Sequence, residues 1–291
     1  MRPQDRSPSR AWRWIDARIL RHSTTRPWNV LANVASILGL ILTTFSVVRW
    51  NVQAIPILYL CLLSFFLVVR YVRQERWARY AEGAVVLEKA YSLCQEAAEV
   101  ILWNQHNVDM FMQKLQDSLD AFGQAFTLVV GSSCRVCLAE LTVSATSSGS
   151  TPPTPDEVFL VQVILRGDKR TNDQLEKAQR VAENTDFLQV LQTGKPFLHN
   201  DLIHAYKLRK YDNSKWSQEM LENGDFPYTS TIVWPIRLSE RPLSGAANPP
   251  LAFLCVDTKR RDAFWSSSDV PLGACYAHAI YPLVRTLIGP A

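Results

Sequence analysis

The stretch LAFLCVDTKRRDAFWSSSDV, residues 251–270, decides the fold. Its first part is an apolar, partly β-branched run that reads as a strand over Pro250–Asp257. A basic, turn-forming segment follows, and a helix runs from about Ser268 to Ile288. Just upstream, Thr229–Leu238 (TSTIVWPIRL) reads as another strand, separated from the first by a loop carrying Pro242, Gly245, Pro249 and Pro250. Working outward, Arg135–Ala145 and Glu157–Leu165 have strand composition, and the Ser-, Thr- and Pro-rich Ser144–Pro155 between them reads as a hairpin loop. Asn172–Asn184 and Asp186–Thr193 read as helices. Asp186 is placed to cap the second and Gly194 to end it. Short strands interleaved with helices imply an α+β domain, an antiparallel sheet with helices on its faces, over residues 107–291.

The order of these segments resembles the GAF family of small-molecule-sensing domains. The resemblance is carried by FMQKLQDSLDAFGQAFTLVV running into CRVCLAELTV, by FLQVLQTGKPFLHNDL at 187–202, by STIVWPIRL at 230–238 and by the 251–270 stretch. It implies a ligand held between the sheet and the helices and loops that cover it. On that analogy Phe187, Asn200, Asp201, Tyr228, Ser230, Trp234 and Cys255 are the candidate binding residues, aromatic walls with a few polar groups. For Phe187 and Trp234 a plain core role is the competing reading. The pattern tied to cyclic-nucleotide-binding members does not fit, because Phe264 and Asp269 lack the adjoining Glu, and no Cys–His pair stands at a bilin-attachment position. No cofactor is assigned.

The first half of the chain reads differently. Val30–Val48 is nineteen residues without a charge, and Ala54–Val69 is a second apolar run, extended to about Val72 if Arg70 and Arg73 snorkel. Trp28, Trp50 and Tyr71 stand at the run ends. Residues 1–27 carry seven Arg against two Asp, and residues 70–79 four Arg against one Glu. The sequence therefore predicts a two-span transmembrane hairpin at 28–72 behind a basic segment at 1–27. The protein would be a multi-pass protein of the cytoplasmic (inner) membrane, with both termini cytosolic. The competing reading is a buried helical hairpin. A basic excess that brackets apolar runs, rather than covering the folded domain, argues against a nucleic-acid partner.

Beyond the second run, Trp77, Tyr80, Ala84, Leu87, Tyr91, Cys94, Ala98 and Ile101 keep a three-four spacing that continues past Gln105. A period of 3.5 predicts a coiled-coil-like helix at 73–106, pairing in parallel with a second copy through a seam that sets Cys94 against its own mate. The alternative is that the seam packs on the chain's own domain.

Other constellations are weaker. Cys134 and Cys137 form one CxxC, but alternate positions on a strand face opposite ways and no second pair completes a zinc site. A thiol enzyme of the kind found among GAF-like proteins that reduce free methionine sulfoxide would need Cys134, Cys137 or Cys255 close together beside a pocket. His199 and His204 have no recognised ligand spacing, and Lys207–Lys215 reads as a solvated loop that could border an anionic ligand. Phosphate-cradle, HExxH and GxSxG motifs are absent. With no output domain after the last helix, the sequence points to a membrane-anchored, non-enzymatic sensor of an unidentified small molecule that signals through a separate partner protein. The alternatives are a ligand-triggered membrane-perturbing effector and a GAF-type thiol enzyme.

Overall fold

A computed structural model of the chain describes residues 54–103, 107–143, 159–167, 177–237 and 249–289. The elements are α1 (Ala54–Trp103), α2 (Val108–Val130), β1 (Cys134–Val143), β2 (Phe159–Arg166), β3 (Gln179–Arg180), α3 (Thr185–Thr193), β4 (Phe197–His199), α4 (Leu202–Lys207), α5 (Gln218–Asn223), β5 (Ser230–Ile236), β6 (Ala252–Thr258) and α6 (Asp269–Ile288). The chain divides into two units at residues 78 and 79.

In the first unit the transmembrane expectation is corrected. Among the described residues no helix is long and apolar enough to cross a membrane. The Ala54–Val69 run supplies sixteen residues of helix, roughly 24 Å at ~1.5 Å per residue against a hydrocarbon core of ~30 Å, before Arg70, Arg73, Glu75 and Arg76 follow in the same helix. The two-span hairpin, the inner-membrane location and the effector reading built on paired spans are withdrawn. The basic segment 1–27 and the run Val30–Val48 lie outside the described residues.

In the second unit, residues 79–103 of α1 run antiparallel to α2. Contacts between them rise in residue number on one helix as they fall on the other: Cys94 with Ser118, Ala90 with Ser118, Glu96 with Lys114. Gly83, Leu87, Ala90, Cys94 and Ala97 form the buried stripe. Small residues let the helices approach closely, and a Cβ on Gly83 would stand 2.7 Å from Val129 Cγ2. Of the seam, Leu87 and Cys94 are thus buried within the chain, Cys94 against Ser118 and Tyr276, while Trp77 and Ala84 are exposed.

Six antiparallel strands form one sheet in the order β3-β2-β1-β6-β5-β4. Alternation sorts the strand residues into two cores. Val136, Leu138, Ile232, Trp234, Leu254 and Val256 pack under α1, α2 and α6. Ala139, Val161, Val233, Phe253 and Cys255 pack under the connections between β3 and β5, which contribute Val181, Val190, Tyr211, Trp216 and Phe226. The register of β2 against β1 skips Ile164. This bulge lets Leu165 join the helical side while Val161 and Val163 stay on the other. Pro235 sits in β5 beyond Val233, the last residue paired to β4, so its missing N–H interrupts no ladder on that side.

The helix expected over Asn172–Asn184 is not formed in its described part. Gln179–Arg180 pairs with β2 and Val181–Glu183 makes a single 3₁₀ turn. Pairing with the β2 edge overrides the helical pattern. Helix α3 starts at Thr185, after Asn184, so Asp186 lies inside the first turn rather than at the cap. Gly194 ends it in the left-handed conformation, φ 64°.

Candidate functional site

The chain leaves β3 at one edge of the sheet and re-enters as β4 at the other, so residues 181–196 cross the sheet face, and the β4–β5 connection packs against that crossing, with the Asp212 N–H donating to Thr185 Oγ1 at 2.8 Å. Beneath this cover lies a cavity of about 140 Å³. Its floor is built by cavity-facing residues of the sheet: Arg135 and Cys137 of β1, Val161 and Val163 of β2, Thr231 and Val233 of β5, Cys255 and Asp257 of β6. Its cover supplies Asn184, Asp186, Phe187, Asn213, Lys215, Trp216 and Tyr228.

Two carboxylates are buried here. Burial lifts Asp186 to about 6, opposed by the Phe187 N–H, which donates to Oδ1 at 2.9 Å, and the Tyr211 hydroxyl, which donates to Oδ2 at 3.1 Å. Burial also raises Asp257. The Thr231 hydroxyl, donating at 2.6 Å, and the charges of Arg135, Arg166 and Lys215 work the other way. Lys215 is lowered by desolvation. The Tyr211 and Tyr228 phenols are driven well above their ordinary value, again chiefly by burial, and Asn213 Nδ2 donates to both hydroxyls, at 3.2 and 2.9 Å. Arg135 donates to the Pro227 carbonyl at 2.8 Å and lies 6.0 Å from the Tyr228 ring centroid, tying floor to cover.

Cys137 and Cys255 are direct cross-strand partners on β1 and β6, and both line the cavity. Directly opposed residues of an antiparallel pair have Cα atoms ~4.5–5.5 Å apart, inside the span a disulfide bridges. Both cysteines are free thiols. A hydrogen bond with Cys137, together with burial, holds the Cys255 thiol protonated, its pKa well above the ordinary value. Cys134 belongs to the other face, where burial pushes its thiol up to about 12.

Of the residues singled out in the sequence, Phe187, Tyr228 and Cys255 border the cavity. The other four do not. Asn200 binds the Phe264 backbone twice, donating to its carbonyl at 2.8 Å and accepting from its N–H at 2.9 Å. Asp201 caps α4 through the His204 N–H and faces Arg261 at 3.7 Å. The Ser230 hydroxyl bonds the carbonyls of Asn200 and Arg260. Trp234 is in the helical-side core, its Nε1 donating to the Val270 carbonyl at 2.8 Å. Arg135, Arg166, Lys215, Asp186, Trp216 and Asp257 went unselected. Period-two alternation from Cys255 could have found Asp257, and Lys215 ends the charged stretch Lys207–Lys215 that could border a ligand, whereas nothing local marks Trp216. His199 and His204 join no metal-binding cluster among the described residues.

No family model matches the chain, and no curated protein matches it. Among solved structures it is similar to the type II free methionine-R-sulfoxide reductase from Thermoplasma acidophilum, at 16% identity over 59% of this chain and 92% of that one, TM-score 0.36. It is similar also to the GAF domain of an Acinetobacter phosphoenolpyruvate-protein phosphotransferase, at 10% identity over 68% and 95%, TM-score 0.39. A further GAF domain matches at 12% identity over 69% and 88%, TM-score 0.40. The likeness is one of fold, a GAF-like antiparallel sheet flanked by helices. One of these structures is a reductase, and with that finding the expectation that the chain is not an enzyme is withdrawn.

Proposed function

We propose that the domain binds a small molecule in the cavity under its β3–α5 cover and acts on it as a GAF-type thiol enzyme. The observation that carries this reading is the Cys137–Cys255 pair, opposed across two central strands and lining the cavity. At about 140 Å³ the cavity is below the ~300 Å³ lower end of common ligand sites, which suits a metabolite of few heavy atoms better than a nucleotide or a bilin.

The chemistry follows from the placement of the thiols. Lys215 stands within Coulombic reach of both sulfurs and favours charge on whichever thiol loses its proton. Cys255 keeps its proton, so Cys137, the less buried of the two, is the attacking sulfur. With a sulfoxide bound, the Cys137 thiolate takes the oxygen, leaving a sulfenic acid and the sulfide. Cys255 then attacks the sulfenic sulfur and water departs with the oxygen. Two thiols and one sulfoxide become one disulfide, one sulfide and one water, and an external dithiol restores the thiols.

The test is reduction of free methionine-R-sulfoxide by the full chain with dithiothreitol as reductant. Turnover by the wild type, lost in both Cys137→Ser and Cys255→Ser but kept in Cys134→Ser, supports the reading. Absence of turnover, or turnover that survives either of the first two substitutions, overturns it.

A further inference from the structure

The proposed reduction takes an oxygen from its substrate, and the cavity wall holds a hydroxyl placed to meet one. Tyr228, Asn213 and Asp186 line the cavity, while Tyr211, which bonds all three, stands outside the lining. The protons of this cluster can be counted. Asn213 Nδ2 carries two and gives one to each hydroxyl, at 3.2 Å to Tyr211 and 2.9 Å to Tyr228. Tyr211 gives its own to Asp186 Oδ2 at 3.1 Å. Burial lifts Asp186 only to about 6, so at neutral pH it is mostly a carboxylate, which accepts and cannot donate. The Tyr228 proton is left over. Among the described residues its one acceptor is the Tyr211 oxygen at 3.5 Å, against ~2.7–2.8 Å for an ordinary O–H···O bond, and that oxygen already accepts from Asn213.

The surroundings of the Tyr228 hydroxyl locate it. Apart from Tyr211, the side chains that bond it or act most strongly on its charge are Asn213 and Asp186 of the cover and Asp257 and Cys255 of the floor, and all four line the cavity. The hydroxyl thus lies between floor and cover. Its ring is held by Trp216, with 5.5 Å between centroids, and by Arg135.

We infer that Tyr228 donates its hydroxyl proton in a hydrogen bond to the sulfoxide oxygen of the bound substrate, with Asn213 as the positioning residue that turns this proton toward the cavity. The inference deepens the proposed function and rests on it for the substrate class. A sulfoxide oxygen is a strong acceptor with no proton of its own, whereas the sulfide product has no oxygen to offer. In the transfer, two electrons pass from the Cys137 thiolate to the substrate sulfur as its S–O bond breaks and a bond from that oxygen to the Cys137 sulfur forms. The oxygen then carries the thiolate's charge, and the donor that met it in the substrate stabilises it there. The proton that completes the sulfenic acid is the one Cys137 released on ionising. Tyr228 keeps its own, because burial, then the charges of Asp257 and Asp186, drive the phenol well above its ordinary pKa.

The first measurement is calorimetric, on the full chain carrying Cys137→Ser and Cys255→Ser so that no oxygen is transferred. The probe is free methionine-R-sulfoxide, and methionine, the same molecule without the oxygen, is its control. The sulfoxide should bind about tenfold more tightly. Adding Tyr228→Phe, which removes only the hydroxyl, should erase that difference by weakening the sulfoxide and leaving methionine unchanged. Asn213→Ala should narrow it several-fold, and gives the same reading where Tyr228→Phe does not fold. Tyr206→Phe removes a hydroxyl that meets the Trp216 carbonyl at 3.5 Å outside the cavity, and should alter neither affinity. With the thiols intact, Tyr228→Phe should lower kcat/KM for the sulfoxide at least tenfold.

The inference is overturned if the sulfoxide binds no more tightly than methionine, or if the difference survives Tyr228→Phe or, where that variant is unfolded, Asn213→Ala. The two proposals fail separately. A chain that prefers the sulfoxide through Tyr228 but does not turn it over refutes the thiol reading alone, and turnover that Tyr228→Phe leaves at the wild-type rate refutes the inference alone.

Discussion

Gly273 on α6 lies directly against the indole of Trp234 on β5: a Cβ at 273 would stand 2.1 Å from Cζ2 and 2.3 Å from Cε2. This contact sets how closely the last helix approaches the sheet. The indole is wedged among Phe122 and Phe126 and anchored by its bond to the Val270 carbonyl, so it has nowhere to move.

Gly273→Ala should therefore destabilise the domain by about 2–3 kcal/mol even though Ala is the better helix former by ~1 kcal/mol. Urea unfolding of the full chain measures this. A variant as stable as wild type would show that α6 can shift outward at little cost.

Asp186 makes stability depend on pH. Its folded-state pKa, about 6, is raised above the ordinary 3.8 by burial, so the protonated form is the one the fold favours. The contribution is complete below about pH 4 and is lost as pH climbs through about 6. A rise of that size corresponds to roughly 3 kcal/mol. Asp186→Asn, which cannot ionise, should gain stability relative to wild type by up to about that much between pH 4 and pH 7, read from urea midpoints across the range. Parallel pH profiles for the two proteins would contradict the assignment.

Ser118 ties three helices together. Its hydroxyl donates to the Ala90 carbonyl at 2.7 Å and lies 2.6 Å from the Tyr276 hydroxyl and 3.0 Å from the Cys94 sulfur. Ser118→Ala should cost about 1–3 kcal/mol, since it leaves buried partners unsatisfied. Burial raises the Cys94 thiol, so in the native protein Cys94 should resist a thiol reagent and should form no disulfide-linked dimer under mild oxidation. A Cys94-dependent dimer would mean that α1 separates from α2 in solution.

Asn200 holds the turn after β6 through both backbone groups of Phe264. Asn200→Ala should cost about 2–3 kcal/mol in a melting or urea experiment and leave sulfoxide turnover by the folded protein unchanged, because the residue lies outside the cavity. Loss of turnover at a temperature where the variant is still folded would place Asn200 in the site after all.

Much of the sheet is legible in the amino-acid sequence. The β1, β2, β5 and β6 boundaries fall within two residues of the expected strands, and the opposite facing of Cys134 and Cys137 follows from a period of two. The helix expected over Asn172–Asn184 shows where that reading stops, since pairing of Gln179–Arg180 with β2 is decided by a strand distant in sequence. The seam of α1 is another case. Its spacing announces that a face is buried and is silent about against what, and here the answer is α2 and α6.

The four long strands and the helices α3 and α6, and the face of each strand residue up to the β2 bulge at Ile164, were determined by the sequence alone, because alternation and helical periodicity are local properties of the backbone. Which residues share the cavity was decided by tertiary structure. Cys137 meets Cys255 because the first and last strands pair at the centre of the sheet, and Lys215 and Trp216 reach the same wall because the β4–β5 connection folds back onto the crossing segment, with Asp212 N–H on Thr185 Oγ1 and the Ser214 hydroxyl on Asn184 Oδ1. Both are consequences of long-range pairing, which no window of sequence contains.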